Sequence, residues 1–110
     1  GTGGGQVYQT YPSGVPVNRV IFIRNETRTP LRLAVNGRPA GWLPPDESGY
    51  VVGGPHGAKL AWCSYERAGA AGTAGAYLRK GSQGVATRPG RKGFWRIQDW
   101  DMRSTAPCAF

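Results

Sequence analysis

Apolar residues along the chain gather in short runs separated by Gly, Pro and polar clusters, and the first strong run is VIFI at 20–23. Four consecutive apolar residues between Arg19 and Arg24 predict a central strand buried on both faces. LRLAVN at 31–36 instead alternates, with Leu31, Leu33 and Val35 on one side and Arg32, Ala34 and Asn36 on the other. Asn36-Gly37 then predicts a type I′ hairpin, whose two central residues both need positive φ. The return strand is RPAGWL, where Pro39 suits an edge position or a strand start. LPPDESG predicts a turn, YVV at 50–52 a strand, GGPHG another turn, and KLAWCSY at 59–65 the last strand of this half.

No segment carries a convincing 3.6-residue apolar period. AGAAGTAGA at 68–76 has helix formers, but its glycines weaken a helix, so it is expected as a mobile loop. YLRK, GVAT and FWRIQDW follow as three shorter strand candidates, and DMRSTAPCAF as an irregular tail. Residues 1–18, rich in Gly and Pro, are expected as a flexible N-terminal arm with a short edge strand near Val7–Tyr11. The expectation is all-β: one small antiparallel β-sandwich or partly open β-barrel over 19–110, with long loops. Its expected core is Val20, Ile21, Phe22, Ile23, Leu31, Leu33, Val35, Trp42, Leu60, Trp62 and Ile97.

The section LRLAVNGRPAGWLPPDESGYVVGG resembles the small β-sandwich modules of the PEGA type. The likeness lies in a strand, an Asn-Gly turn, a return strand and a Leu-Pro-Pro acidic turn. It covers about a quarter of the chain. The defining tetrapeptide is missing, since Asp46, Glu47 and Ser48 follow Pro45, and no functional residue carries over.

Composition changes the picture in one respect, the thinness of the core. Leu, Ile, Val and Phe make up 19 of 110 residues, while Gly and Pro make up 27. Four Trp and five Tyr offset this with large buriable areas. Cys63 and Cys108 are the two cysteines, and a disulfide between them would restrain the tail by roughly 4 kcal/mol on the chain-entropy model. Pairing suits an exported protein with a small core, and two reduced thiols suit a cytosolic one. The chain does not open on Met, so either a removed leader or an appended GTGGG is expected at its start. The reading is periplasmic, cell-surface or secreted.

Catalytic chemistry finds little support. His56 is the only histidine and sits in the turn GGPHG, and neither the cysteines nor His56 have metal-ligand spacing. Asp99 and Asp101 would share one side of an extended strand, where Arg96 and Arg103 make them simple ion-pair partners. Asn25-Glu26-Thr27 satisfies the glycosylation sequon. GSQG at 81–84 lacks the Lys-Ser/Thr and the helix of a phosphate loop. The expected role is non-enzymatic, with no cofactor.

Charge supplies the one functional candidate. Between 79 and 96 lie Arg79, Lys80, Arg88, Arg91, Lys92 and Arg96 with no acid, and these six carry three-quarters of the net +8. Phe94 and Trp95 interleave with them, pointing to opposite faces of a strand. Arginine forks and rings together suit an acidic glycan, lipopolysaccharide or an anionic membrane surface. They also suit single-stranded nucleic acid on an OB-like barrel, which an oxidised chain makes less favoured, and no RNA-binding motif restores. A solvated basic face and a protein-binding or inhibitor module are the competing readings, with a monomer or weak edge-strand dimer as the assembly.

Overall fold

A computed structural model describes residues 6–64, 79–102 and 110. Among the described residues seven strands form two sheets: β1 Val20–Asn25, β2 Leu31–Val35, β3 Arg38–Leu43, β4 Ser48–Val52, β5 Gly57–Ser64, β6 Arg79–Ala86 and β7 Gly93–Ile97. The first sheet has the order β4-β1-β7 and the second β3-β2-β5-β6. Their inner faces meet in one apolar cluster. Ile21, Ile23, Val51 and Ile97 come from the first sheet, and Leu31, Leu33, Leu43, Leu60, Trp62 and Val85 from the second. The chain is thus a small β-sandwich, as its alternation predicts.

The central hairpin forms as expected. Asn36 and Gly37 take φ of 52° and 82°, and the Asn36 side chain accepts a hydrogen bond from the Lys59 backbone at 2.9 Å. β3 is an edge strand, with Pro39 and a register irregularity between Leu33 and Ala34. Tyr8 forms a two-way backbone bridge with Tyr50 at 2.8 Å, and the Val7 N–H donates to the Ala40 carbonyl. The N-terminal segment from residue 6 therefore lies along both sheets at one edge.

Several expectations are corrected. β7 runs parallel to β1, an exception to the antiparallel pattern. β1 is central but covered on one face only, since Phe22 and Arg24 are half-buried on the outer side. Trp42 keeps 51% of its surface exposed rather than joining the core. Its strand neighbours Gly41 and Leu43 explain why: Leu43 takes the inward position, so Trp42 faces out. YLRK and GVAT are not separate strands, because β6 continues from Arg79 to Ala86 through Gly81 and Gly84. Asp99 and Asp101 lie in a 3-10 turn rather than a strand, closed by a bond from the Gln98 N–H to the Asp101 carboxylate. The Ala/Gly loop at 68–76, Arg103 and Cys108 lie outside the described residues.

Where the chain crosses between sheets, one buried polar side chain braces it. The Asn25 amide donates to the carbonyls of Thr29 and Leu43, and its oxygen accepts from the backbone and hydroxyl of Thr27. With both donors and both lone pairs used, Asn25 avoids the penalty of about 1–3 kcal/mol for an unsatisfied buried polar group. The sequon asparagine is fully buried.

Candidate functional site

Register and turn geometry divide the basic segment 79–96 among three places. Arg79 and Lys80 start β6 beside the end of β5, opposite Ser64 and Cys63. Arg88 and Arg91 flank a tight turn. Lys92 precedes β7, on which Phe94 and Arg96 are exposed while Trp95 turns inward against the core cluster. The Trp95 indole N–H is buried with no hydrogen-bond partner among the described residues.

The turn is built by Arg88-Pro89-Gly90-Arg91. Proline presets its second position, and Gly90 at φ +76° supplies the left-handed third, the pattern of a type II turn. The Arg88 N–H donates to the Arg91 carbonyl at 3.3 Å, and the Arg91 N–H returns the bond at 2.8 Å. Two cations are therefore held opposite one another across a bridge. Like charges so placed destabilise, and in this case both side chains are exposed with no acidic neighbour in the turn.

Strand pairing brings further cations to this end. β1 meets β7 with Ile21 opposite Gly93, so Arg19, which closes the 3-10 turn before β1 and donates from Nε to the Gly53 carbonyl at 3.1 Å, comes to the same end as Arg91 and Lys92. The Thr87 N–H donates to the His56 carbonyl, and Gly54 and Gly57 bridge beside it. Gly57 starts β5, whose Lys59 is bonded to Asn36 at the hairpin that Arg38 leaves. Arg19, Arg38, Lys59, Arg88, Arg91 and Lys92 are all exposed, with His56 among them, and none of the described acids lies at this end. Sequence reasoning missed Arg19, Arg38 and Lys59. The Pro-Gly and Asn-Gly turns were readable signals, but the pairing that aligns them is not local.

The opposite end collects the acids. The Glu26 N–H bonds the Ile97 carbonyl, the Asp46 N–H bonds Asn25, and Asp99 and Asp101 follow β7. Arg96, offered above as a ligand contact, pairs with Glu26 at 2.7 Å, and Arg24 reaches the same carboxylate at 3.5 Å. The Gln98 amide also donates to Glu26. Glu26, not Asp99 or Asp101, is thus the partner of Arg96. The Arg96 hydrogen bond, helped by Gln98 and the charges of Arg96 and Arg24, holds the Glu26 carboxyl below its ordinary 4.5 despite opposing desolvation.

An aromatic row crosses the outer face of the first sheet. Phe22 stacks on Phe94 with centroids 5.4 Å apart and planes at 9°. On its other side Phe22 meets Tyr50 edge-on at 5.4 Å, and Tyr50 meets Tyr11 at 5.5 Å. Phe94 is 53% exposed at the open end of this row, two residues from Lys92. Such an arrangement offers charge and ring contacts. Among the described residues no group of three His, Cys, Asp or Glu side chains is arranged to hold a metal ion. No family model, curated protein or solved structure matches this chain.

Proposed function

We propose that the chain is a non-enzymatic, exported binding protein for an anionic polymer of the cell envelope, an acidic glycan or lipopolysaccharide. The observation that carries this reading is the collection of six exposed cations at one end of the sandwich, Arg88 and Arg91 paired across a turn among them, with none of the described acids beside them. Arginine forks gathered in this way suit bidentate contacts to sulfate, phosphate or carboxylate groups.

Amide shifts during titration with lipopolysaccharide, a sulfated glycan and single-stranded DNA, each at two salt concentrations, test the reading. The expected shifts fall on 88–94 together with Arg19, Arg38 and Lys59, and fade with salt. Replacing Arg91 and Lys92 with Ala should weaken binding roughly tenfold and lower the salt slope by about 2. An unchanged affinity in that double variant sinks the reading, and a preference for DNA transfers the site to nucleic acid.

Export goes with a Cys63–Cys108 disulfide, also proposed here. Cys63 alternates with the inward Trp62 and so faces outward from β5, yet it is fully buried. Phe110, two residues beyond Cys108, lines a cavity of about 390 Å³ with Ala34, Ala61 and Lys80 on the same outer face. The end of the chain therefore lies over the strand that carries Cys63, which supports the pairing. The mass of the unreduced protein should not change on thiol alkylation; two adducts overturn the bridge.

A further inference from the structure

We infer that the outer face of the second sheet holds a site for a small anionic amphiphile, one alkyl or acyl chain with an acidic head; this does not rest on the polyanion reading. The cavity of about 390 Å³ that Phe110 lines is the place. Register lays its floor. Ala34 is opposite Ala61 and Ala61 opposite Ser82, so three small side chains run straight across β2, β5 and β6. They share the outward side, because Leu33, Leu60 and Trp62 take the inward one. Ala34 is nevertheless fully buried, so this part of the outer face is covered rather than open to water. Small side chains under a cover leave an apolar trough. Its volume lies near the lower end of the roughly 300–1,000 Å³ of ligand pockets, which suits one chain and not a two-chain lipid.

Charge sets the polarity of the ligand. Lys59 and Lys80 line the cavity, and no Asp or Glu of the described residues does. Lys80 is opposite Cys63, and Cys63 lies four residues beyond Lys59, so the two cations start about 13 Å apart along the strands, one toward each end. Lys80 is half-buried, and Ser82 follows it on the same side of β6, which brings an ammonium and a hydroxyl together for the head. Lys59 is exposed, and its methylenes cover the far end of the chain while its charge stays in water. An elongated body fits between such ends better than a compact ring.

Calorimetry and amide shifts with decanoate, decan-1-ol, decyltrimethylammonium and 1-naphthoate, each below its micelle-forming concentration, test the site. Decanoate should bind about tenfold more tightly than the alcohol, and the cation more weakly than either, with shifts at Ala34, Ala61 and Ser82. From hexanoate to decanoate, affinity should rise roughly threefold to fourfold per methylene, the transfer value of a buried one. Lys80→Gln should weaken decanoate roughly fivefold and leave the alcohol unchanged. Ala61→Leu, which fills the floor, should abolish binding of both, and the sulfated glycan should not respond to either variant. Equal binding of the three heads overturns the anionic ligand. A flat chain-length series, or tighter binding of naphthoate, overturns the chain. Unchanged decanoate affinity in Lys80→Gln or Ala61→Leu overturns the place. Thermal midpoints show whether Ala61→Leu folds; if it does not, Lys80→Gln and the chain-length series still decide. No binding of decanoate to the wild type ends this inference, whatever the glycan does.

Discussion

Glu26 gathers three donors at a place where the sequence offers only a turn. Arg24 is two residues away, but Arg96 on β7 and Gln98 just after it are 70 and 72 positions along the chain. A carboxyl held below its unfolded value stabilises the fold above the ordinary glutamate range, and loses that contribution as pH falls through the lowered folded value. Wild-type stability should therefore decline as pH drops below about 4.5, and the decline should be shallower in Glu26→Gln. Urea titrations of both proteins at pH 7 and at pH 3 measure this; parallel curves would contradict it. Asn25 teaches the same lesson about legibility. In sequence it is a sequon, yet in the fold it bonds Leu43, 18 residues away, and its role depends on a neighbour that no local pattern names.

At the level of elements, the strands were readable where local chemistry sets them. β2, the Asn-Gly turn and β3 follow from alternation and a positive-φ pair, because hairpin pairing is decided by adjacent residues. β6 was not, since its two glycines read as breaks. The structure gives them different reasons. A Cβ on Gly81 would run into the Asp101 carbonyl and the Trp62 indole, which itself donates to that carbonyl at 3.2 Å. Glycine here is a close-approach site between the strand and the 3-10 turn. A Cβ on Gly84 meets nothing within 4 Å. Gly81→Ala should cost roughly 2–3 kcal/mol, in the range of a forced overpacking. Gly84→Ala should be neutral or stabilise by about 0.4–1 kcal/mol through the unfolded chain. Denaturation midpoints of the pair decide it, and equal effects would mean that the turn can move aside.

Over the whole molecule, charge is sorted by strand direction rather than by sequence. The segment 79–96 was legible as a cluster of cations because it has no acid, but it starts and finishes at the acidic end of the sandwich, and only its middle, the turn at 88–91, reaches the other end. Arg79 and Lys80 begin β6 near the end of β1 where Glu26 and Asp46 lie, and seven residues of strand separate Arg79 from Ala86, about 23 Å of travel at strand rise. That exceeds a Debye length of about 8 Å at physiological salt, so Arg79 is screened from the turn at 88–91, while Lys59, which lines one cavity with Lys80, lies between the two. Arg19 and Arg38, remote in sequence, share the end that holds Arg88, Arg91 and Lys92. The two ideas therefore predict opposite mutants. If a linear segment binds, replacing Arg79 and Lys80 with Ala weakens the complex, and replacing Arg19 and Arg38 does nothing. If the end of the sandwich binds, Arg19→Ala with Arg38→Ala should cost several-fold in affinity and lower the salt slope, while the Arg79 and Lys80 pair changes neither. Both double variants remove the same charge, so net charge cancels from the comparison. Salt-dependent titrations of the sulfated glycan against each variant distinguish the cases. A loss confined to the Arg79 and Lys80 variant would return the site to the segment and dismiss the sandwich end as solvated surface.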